Sequence, residues 1–257
     1  MAVINRRQED ILNELEKKGY VNVVDLCEAY NVSTVTIRKD LNFLENEKLL
    51  HRTHGGASKK PLYAFERNVD DKESLQVEQK KQIAAEALKY ISNNDYIILG
   101  SGSNIHYLSR IIKGFNKLTV LTSSLKVSLE LCREATINTI QLGGDIRNSS
   151  TSVVGPIAEA TLSQFSCNKL FLGTDGIHLD FGMSTSNALE AHLNQAMIEV
   201  AEKVIVLADS TKMNIRGFGK ICNLNKIDIL ITDDGIDNET KAKLEELGID
   251  VVVAAKL

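Results

Sequence analysis

The sequence predicts an α/β protein in two parts, a small helical domain followed by a larger one built on a mostly parallel sheet. Three observations carry this. The chain has 257 residues, 43% of them hydrophobic and 25% charged, which is enough for two ordinary globular cores. A polar, charged stretch, "ASKKPLYAFERNVDDKE" at 57–73, holds one of only two prolines and separates two differently patterned regions. Beyond it, short aliphatic runs alternate with amphipathic stretches, the pattern of strands covered by helices on both faces. The expected boundaries are 1–57 for the small domain, 58–73 for a linker and 74–257 for the larger domain.

The small domain is built from local signals. Asn5 and Gln8 have the spacing of a capping box, Ile11, Leu12 and Leu15 recur at helical spacing, and Gly19 stops the helix. "VNVVDLCEAY" gives a second helix, capped by Asn22 with Asp25 in its first turn, burying Val24, Leu26 or Cys27, and Tyr30. Only "NVS" separates it from the third, so the two helices cross steeply. Ser33 caps that third helix, "TVTIRKDLNFLEN", whose Ile37, Leu41 and Leu44 share one face and turn Thr34, Arg38 and Asn42 another way. "KLLHRTHGGAS" then alternates around a Gly-Gly pair, suited to a hairpin with positive backbone angles at its tip. Three helices and a hairpin make a winged helix-turn-helix.

Charge fits that shape only locally. The whole chain carries −4, but residues 1–60 hold ten Lys or Arg against nine Asp or Glu, and residues 34–60 hold six against three. Screening confines each charge to about 8–10 Å, so the local balance is what a phosphate backbone meets. A basic pair alone would be a solvated helix face. Combined with the tight turn and the wing, it makes Ser33, Thr34, Thr36, Arg38, Lys39, Arg52 and His54 the candidate contacts to double-stranded DNA. Arg38 suits a guanine edge, Lys39, Thr34 and Ser33 suit phosphates, and Arg52 and His54 can reach the backbone or a minor groove from the wing.

Other classes are disfavoured. The opening "MAVINRRQED" meets polar residues at once, and no apolar run approaches the roughly 20 residues of a membrane span, so a cytoplasmic chain without a membrane partner is expected. Cys27, Cys132, Cys167 and Cys222 are too scattered for a zinc knuckle or a redox pair, and His51 and His54 lack a nearby partner. No metal and no cofactor is expected.

In the larger domain the expected order is helix 75–91, strand "YIILG", helix 104–113, strand "LTVLT", helix "LKVSLELCRE", strand "INTIQLGG", helix 156–165 and strand "KLFLG". Helix 187–201, strands "KVIVLA" and "IDILIT", helix 238–247 and strand "IDVVVA" complete it. In such sheets ligands sit at the carboxyl ends of the strands.

"TVTIRKDLNFLE" followed by "LLHRTHGGA" resembles the DNA-binding segment of the DeoR family of bacterial transcription regulators. The resemblance continues through "ERN", "LTVLTSS", "QLGG", "FLGTDGI", "DSTK" and "ITDDG", and so runs through essentially the whole chain. It implies a repressor of a carbohydrate-catabolism operon whose larger domain is Rossmann-like, similar in fold to ribose-5-phosphate isomerase, and senses a phosphorylated sugar. "GMSTSNALEAHLNQAM" resembles the branch that controls N-acetylgalactosamine and related amino-sugar operons. Family members commonly have an acidic residue where this chain has Gly100.

Four glycine- or hydroxyl-rich turns follow strands: "GSGSN" at 100–104, "LTSS" at 121–124, "LGGDIR" at 142–147 and "GTDGI" at 173–177. Glycine lets backbone approach an anion, and a helix amino terminus offers donors. The candidate effector contacts are therefore Ser101, Gly102, Ser103, Asn104, Thr122, Ser123, Ser124, Gly143, Gly144, Arg147, Asp175, Gly176 and Lys212. Ser101 to Asn104 and Ser123 face a phosphate, Lys212 is a charge partner, and Asp175 accepts from a sugar hydroxyl. Arg147 is equally a phosphate contact or a surface arginine, and Glu190 is assigned to solvent.

The competing expectation is a sugar-phosphate isomerase or deaminase using Asp175, Asp209 and Lys212 as proton carriers. "TDGI" continues with Ile177 where the isomerases resemble one another in adding acidic residues, so no catalytic residue and no enzyme is expected. Partners follow as operator DNA, a phosphorylated sugar and further copies of the chain, as dimer or tetramer, with Phe65, Glu66 and Arg67 transmitting the effector's signal.

Overall fold

The computed structural model describes residues 4–47, 49–52, 55–58 and 68–256. The chain divides into two compact units, Met1–Tyr63 and Ala64–Leu257.

The small unit contains α1 (Arg6–Lys18), β1 (Tyr20–Asn22), α2 (Val23–Tyr30), α3 (Thr34–Asn46), β2 (His51–Arg52) and β3 (Gly56–Ser58). The expected caps are present. Asn5 Oδ1 accepts from Gln8 N and Gln8 Oε1 accepts from Asn5 N, both at 3.0 Å, while Gly19 closes α1 at φ 72°. Asn22 Oδ1 accepts from Val24 N at 2.8 Å and Ser33 Oγ from Thr36 N at 3.3 Å. Ile11, Leu26, Ile37, Leu41 and Leu44 form a closed core. Val24 is not part of it, being 58% exposed; α2 starts at Val23, which with Leu26 one turn later takes the buried stripe instead. Asp40 is buried and accepts from Arg7 Nε at 2.6 Å and Gln8 Nε2 at 3.0 Å, fastening α1 to α3.

The wing is three-stranded, in the order β1-β3-β2, with antiparallel pairings Val21↔Ala57 and Arg52↔Ala57. Gly56 is not a positive-φ residue, contrary to the expectation for the Gly-Gly pair. It is glycine because β1 lies against it: a Cβ there would sit 1.9 Å from Val21 O. Thr53 and His54, expected near the wing tip, lie outside the described residues, as do Phe65, Glu66 and Arg67.

The larger unit begins with α4 (Val69–Glu73), a helix where the sequence predicts linker as far as residue 73. Then come α5 (Val77–Leu88), β4 (Tyr96–Leu99), α6 (Ser103–Ser109), β5 (Leu118–Thr122), α7 (Leu125–Leu131), β6 (Ile137–Gln141), β7 (Asp145–Arg147), β8 (Ser152–Val154) and α8 (Pro156–Leu162). The chain continues with β9 (Lys169–Gly173), β10 (Gly176–His178), β11 (Gly182–Thr185), α9 (Ala188–Glu199), β12 (Val204–Leu207), β13 (Gly219–Cys222), β14 (Ile229–Thr232), α10 (Asn238–Glu246) and β15 (Asp250–Val253).

Seven strands form one parallel sheet in the order β15-β14-β12-β9-β4-β5-β6. Alternate residues of β4 enter different cores, Ile97 and Leu99 on one face and Ile98 on the other, which is why these strands read as unbroken aliphatic runs. Successive strands step outward from β4 to β5 and β6, then outward the other way from β9 to β12, β14 and β15. The direction reverses between β4 and β9, neighbours paired at Leu99↔Phe171. Beside the sheet stand an antiparallel sheet, β10-β11-β13, and the β7-β8 hairpin, neither of which the sequence predicts. Among the described residues no helix is long and apolar enough to cross a membrane, and no cluster of His, Cys, Asp and Glu suits a metal.

Candidate functional site

Each unit carries one candidate site. In the small unit the buried faces of Ile37, Leu41 and Leu44 leave Ser33, Thr34, Arg38 and Lys39 exposed along α3, with Thr36 half-buried beside Ser33, their hydroxyls 3.0 Å apart. Val35 on the same turn is 61% exposed, an apolar side chain that sequence reasoning passed over and that suits a thymine methyl. The half-buried Arg52 guanidinium is engaged within the unit: Nη1 donates to Asn42 Oδ1 at 2.5 Å and to Arg38 O at 3.3 Å, and Nε donates to Gly56 O at 3.2 Å. Its backbone N donates to Glu45 Oε1 at 2.8 Å, so Arg52 ties the wing to α3.

In the larger unit a pocket opens over the β4/β9 reversal, where two adjacent crossovers leave in opposite directions and part the loops above the sheet. Ser101, Gly102, Ser103 and Asn104 enter it after β4, and Thr174 and Asp175 after β9. Gly102 has φ 109°, a conformation side chains disfavour, and turns the chain into α6. Thr185, Glu190, Asn194, Arg147, Ser149, Ser150 and Lys212 complete the far wall, and α4 closes the near one with Val69 and Lys72.

Two carboxylates organise the interior. Asp175 Oδ1 accepts from Lys72 Nζ at 2.6 Å, and its Oδ2 accepts from Ser186 N at 3.0 Å. Glu190 accepts from Ser101 Oγ at 2.9 Å and from Arg147 Nη1 at 3.2 Å. The Thr185 hydroxyl lies between them, 3.1 Å from Asp175 and 2.9 Å from Glu190. Burial pushes the Asp175 carboxyl up, but the Lys72 ammonium, the Lys212 charge and the Ser186 N–H outweigh it and hold the group at about 2. Asn104 Oδ1 and Ser149 Oγ, both on residues that line the pocket, are buried without a hydrogen-bond partner, which leaves polar capacity unused there.

Seven expected effector contacts, Ser101, Gly102, Ser103, Asn104, Arg147, Asp175 and Lys212, meet in this pocket. Six do not line it. Thr122 Oγ1 accepts from Ser124 N at 3.0 Å, Ser123 O accepts from Val153 N, and Ser124 caps α7. Gly144 packs under Val154 O, and Gly176 lies in β10 where a Cβ would stand 2.4 Å from Ile215 O; Gly143 is exposed. For Thr122 to Ser124, Gly143 and Gly144 the physical reason is strand order, since β5 and β6 end one and two strands beyond the reversal; Gly176 follows β9 but is taken up by its packing in β10. Glu190 and Lys72, assigned to solvent and to linker, are central instead. Glu190 stands, as the sequence predicts, in the helix that starts at Asn187, whose side chain accepts from Glu190 N at 3.1 Å, but its carboxylate turns to the pocket rather than to solvent. Gly100 sits against Leu172, whose Cδ1 is 2.7 Å from where a Cβ would be, so an acidic residue here would need Leu172 to turn away.

Residues 7–60 match the DeoR-like helix-turn-helix domain and residues 75–234 the DeoR C terminal sensor domain. The putative aga operon transcriptional repressor of Escherichia coli is 36% identical over 256 residues, covering 98% of this chain and 94% of that protein. The lactose phosphotransferase system repressor of Staphylococcus epidermidis is 31% identical, covering 93% of this chain and 95% of the other. Among solved structures, ribose 5-phosphate isomerase A from Neisseria gonorrhoeae overlays 52% of each chain at 19% identity and a TM-score of 0.38. With a reading helix and a sensor matched in order along nearly its whole length, the chain belongs to the DeoR family of DNA-binding transcription regulators.

Proposed function

We propose that the chain is a cytoplasmic repressor of a carbohydrate operon, released from its operator when a phosphorylated sugar enters the pocket over β4 and β9. The observation that carries this is the donor set of that pocket: three cationic side chains, Lys72, Arg147 and Lys212, around the Ser101–Asn104 turn, with Asp175 and Glu190 as hydroxyl acceptors. A phosphate suits the cations and the turn, and sugar hydroxyls suit the carboxylates. In the small unit Ser33, Thr34, Thr36 and Lys39 hold phosphates of the duplex while Arg38 and Val35 meet base edges. Two or four copies would read a repeated or palindromic operator. The narrower resemblance to amino-sugar regulators, joined by an aga operon repressor among the relatives, puts amino-sugar phosphates first as effectors.

Binding without turnover is favoured by the electrostatics. A general base works best with a pKa near the operating pH, whereas the Lys72 ammonium beside Asp175 holds its carboxyl below the ordinary value. Glu190 is already engaged by Ser101 and Arg147. The test is a gel-shift series on DNA from upstream of the gene, with galactosamine 6-phosphate, N-acetylgalactosamine 6-phosphate and other sugar phosphates. Release by one of them is expected, and operator binding indifferent to all of them overturns the sensing role. Product formation from ribose 5-phosphate or glucosamine 6-phosphate at enzyme-like rates overturns the non-catalytic role.

A further inference from the structure

α4 has five residues, too few to be a stable helix by itself, and Val69 is its one buried apolar side chain. Polar links therefore hold it, and they form two clamps. One faces the pocket: Val69 N donates to Ser149 O at 2.7 Å, and Lys72 Nζ donates to Asp175 Oδ1 at 2.6 Å. The other is centred on Glu73, whose carboxylate meets His106 Nδ1 at 2.7 Å, Lys126 Nζ at 2.7 Å and Arg110 Nη2 at 3.2 Å on α6 and beyond. Asp70 also pairs with Lys126.

Ser186 N donates to Asp175 Oδ2 and the Thr185 hydroxyl lies 3.1 Å from it, both within the fixed framework of the β11 end, while the long, flexible Lys72 side chain donates to Oδ1. A ligand hydroxyl or ammonium that bonds Oδ1 competes with Lys72 for it. The pair is largely dry, with side chains 22% and 11% exposed, so separating it removes a substantial part of what docks α4. α4 is also the first described helix after the segment joining the two units, so its docking is where occupancy of the pocket can become a change in the chain leading to the reading head.

We propose that Lys72 is the coupling residue of the sensor: it pins α4 to the pocket through Asp175, and an effector that takes Asp175 unpins α4. This rests on the sugar-phosphate reading above. It differs from sensing through a general tightening, because the effector competes with a side chain of the chain itself.

The experiment is hydrogen exchange on the full chain over residues 69–75, paired with anisotropy of DNA from upstream of the gene and a thermal-shift check for ligand binding. Without any ligand, Lys72→Met raises exchange over 69–75 at least tenfold relative to wild type, while Lys81→Met, on an exposed pair with Glu78, leaves it unchanged. Lys72→Arg, which keeps the cation, retains the protection and shows that the methionine variant is not simply misfolded. Adding galactosamine 6-phosphate raises exchange over 69–75 in wild type and weakens its DNA binding; in Lys72→Met the DNA affinity no longer responds. If the probe raises the wild-type melting temperature but α4 exchange stays flat, or falls, the coupling role alone is overturned. If neither this probe nor the other sugar phosphates move the melting temperature, the sensing reading fails first and the coupling role falls with it.

Discussion

Replacing Asp175 by Asn removes the charge that anchors the pocket while keeping its size, and the structure sets the cost. The group is held at about 2 against an ordinary value of 3.8. At about 1.4 kcal/mol per pH unit, the folded state gains roughly 2.5 kcal/mol from this carboxylate at neutral pH. The folded-state pKa is the lower one, so this stabilisation is complete above the unfolded value near 4 and disappears as pH falls through about 2. Urea denaturation of wild type and Asp175→Asn, followed by circular dichroism from pH 7 downward, should show a gap of roughly 2.5 kcal/mol at pH 7 that narrows below pH 4. A gap that stays constant from pH 7 to pH 3 would refute the idea that Lys72 and Lys212 favour the ionised form. A variant as stable as wild type at pH 7 would refute the pairing itself.

Other perturbations test the small unit. Gly56→Ala drives a methyl into Val21 O and should cost about 1–3 kcal/mol, seen as a lower melting temperature with the larger unit's transition unchanged. Asp40→Ala leaves the Gln8 amide and the Arg7 guanidinium without their acceptor and should cost about 1–3 kcal/mol by the same measurement. Arg38→Ala should lose about 1–3 kcal/mol of preference for the operator over random DNA, while Lys39→Ala weakens both about equally and lowers the salt slope by about one. Competitive gel shifts at several salt concentrations distinguish the two, and identical profiles would count against separate base and phosphate roles.

How much of this was legible in the sequence depends on how local the cause is. The caps at Asn5, Asn22 and Ser33 act within three residues of themselves, so helix starts could be read directly. The strands of the parallel sheet are buried on both faces and read as aliphatic runs. β11, "GMST", carries no such run; it is a strand because Gly182 and Gly217 allow backbone to pack within a few ångströms of it, a property of neighbours far away in the chain. The pocket divides the same way. Chemistry following a strand picked out every turn from 100 to 177, but strand order decides which turns meet, and order is non-local. That is why Thr122 to Ser124, Gly143 and Gly144 have the chemistry of contacts without lining the pocket, and why Lys72, in a stretch with the composition of a linker, carries no local sign of its place there.

Arg52 hooks β2 onto α3: through Asn42, Arg38 and Gly56 it makes strand and helix one piece, although they meet only by way of a side chain. Cutting those bonds would set β2 loose from α3 while the packing of Ile37, Leu41 and Leu44 stayed whole, so the stiffness of this face is separable from the stability of the core beneath it.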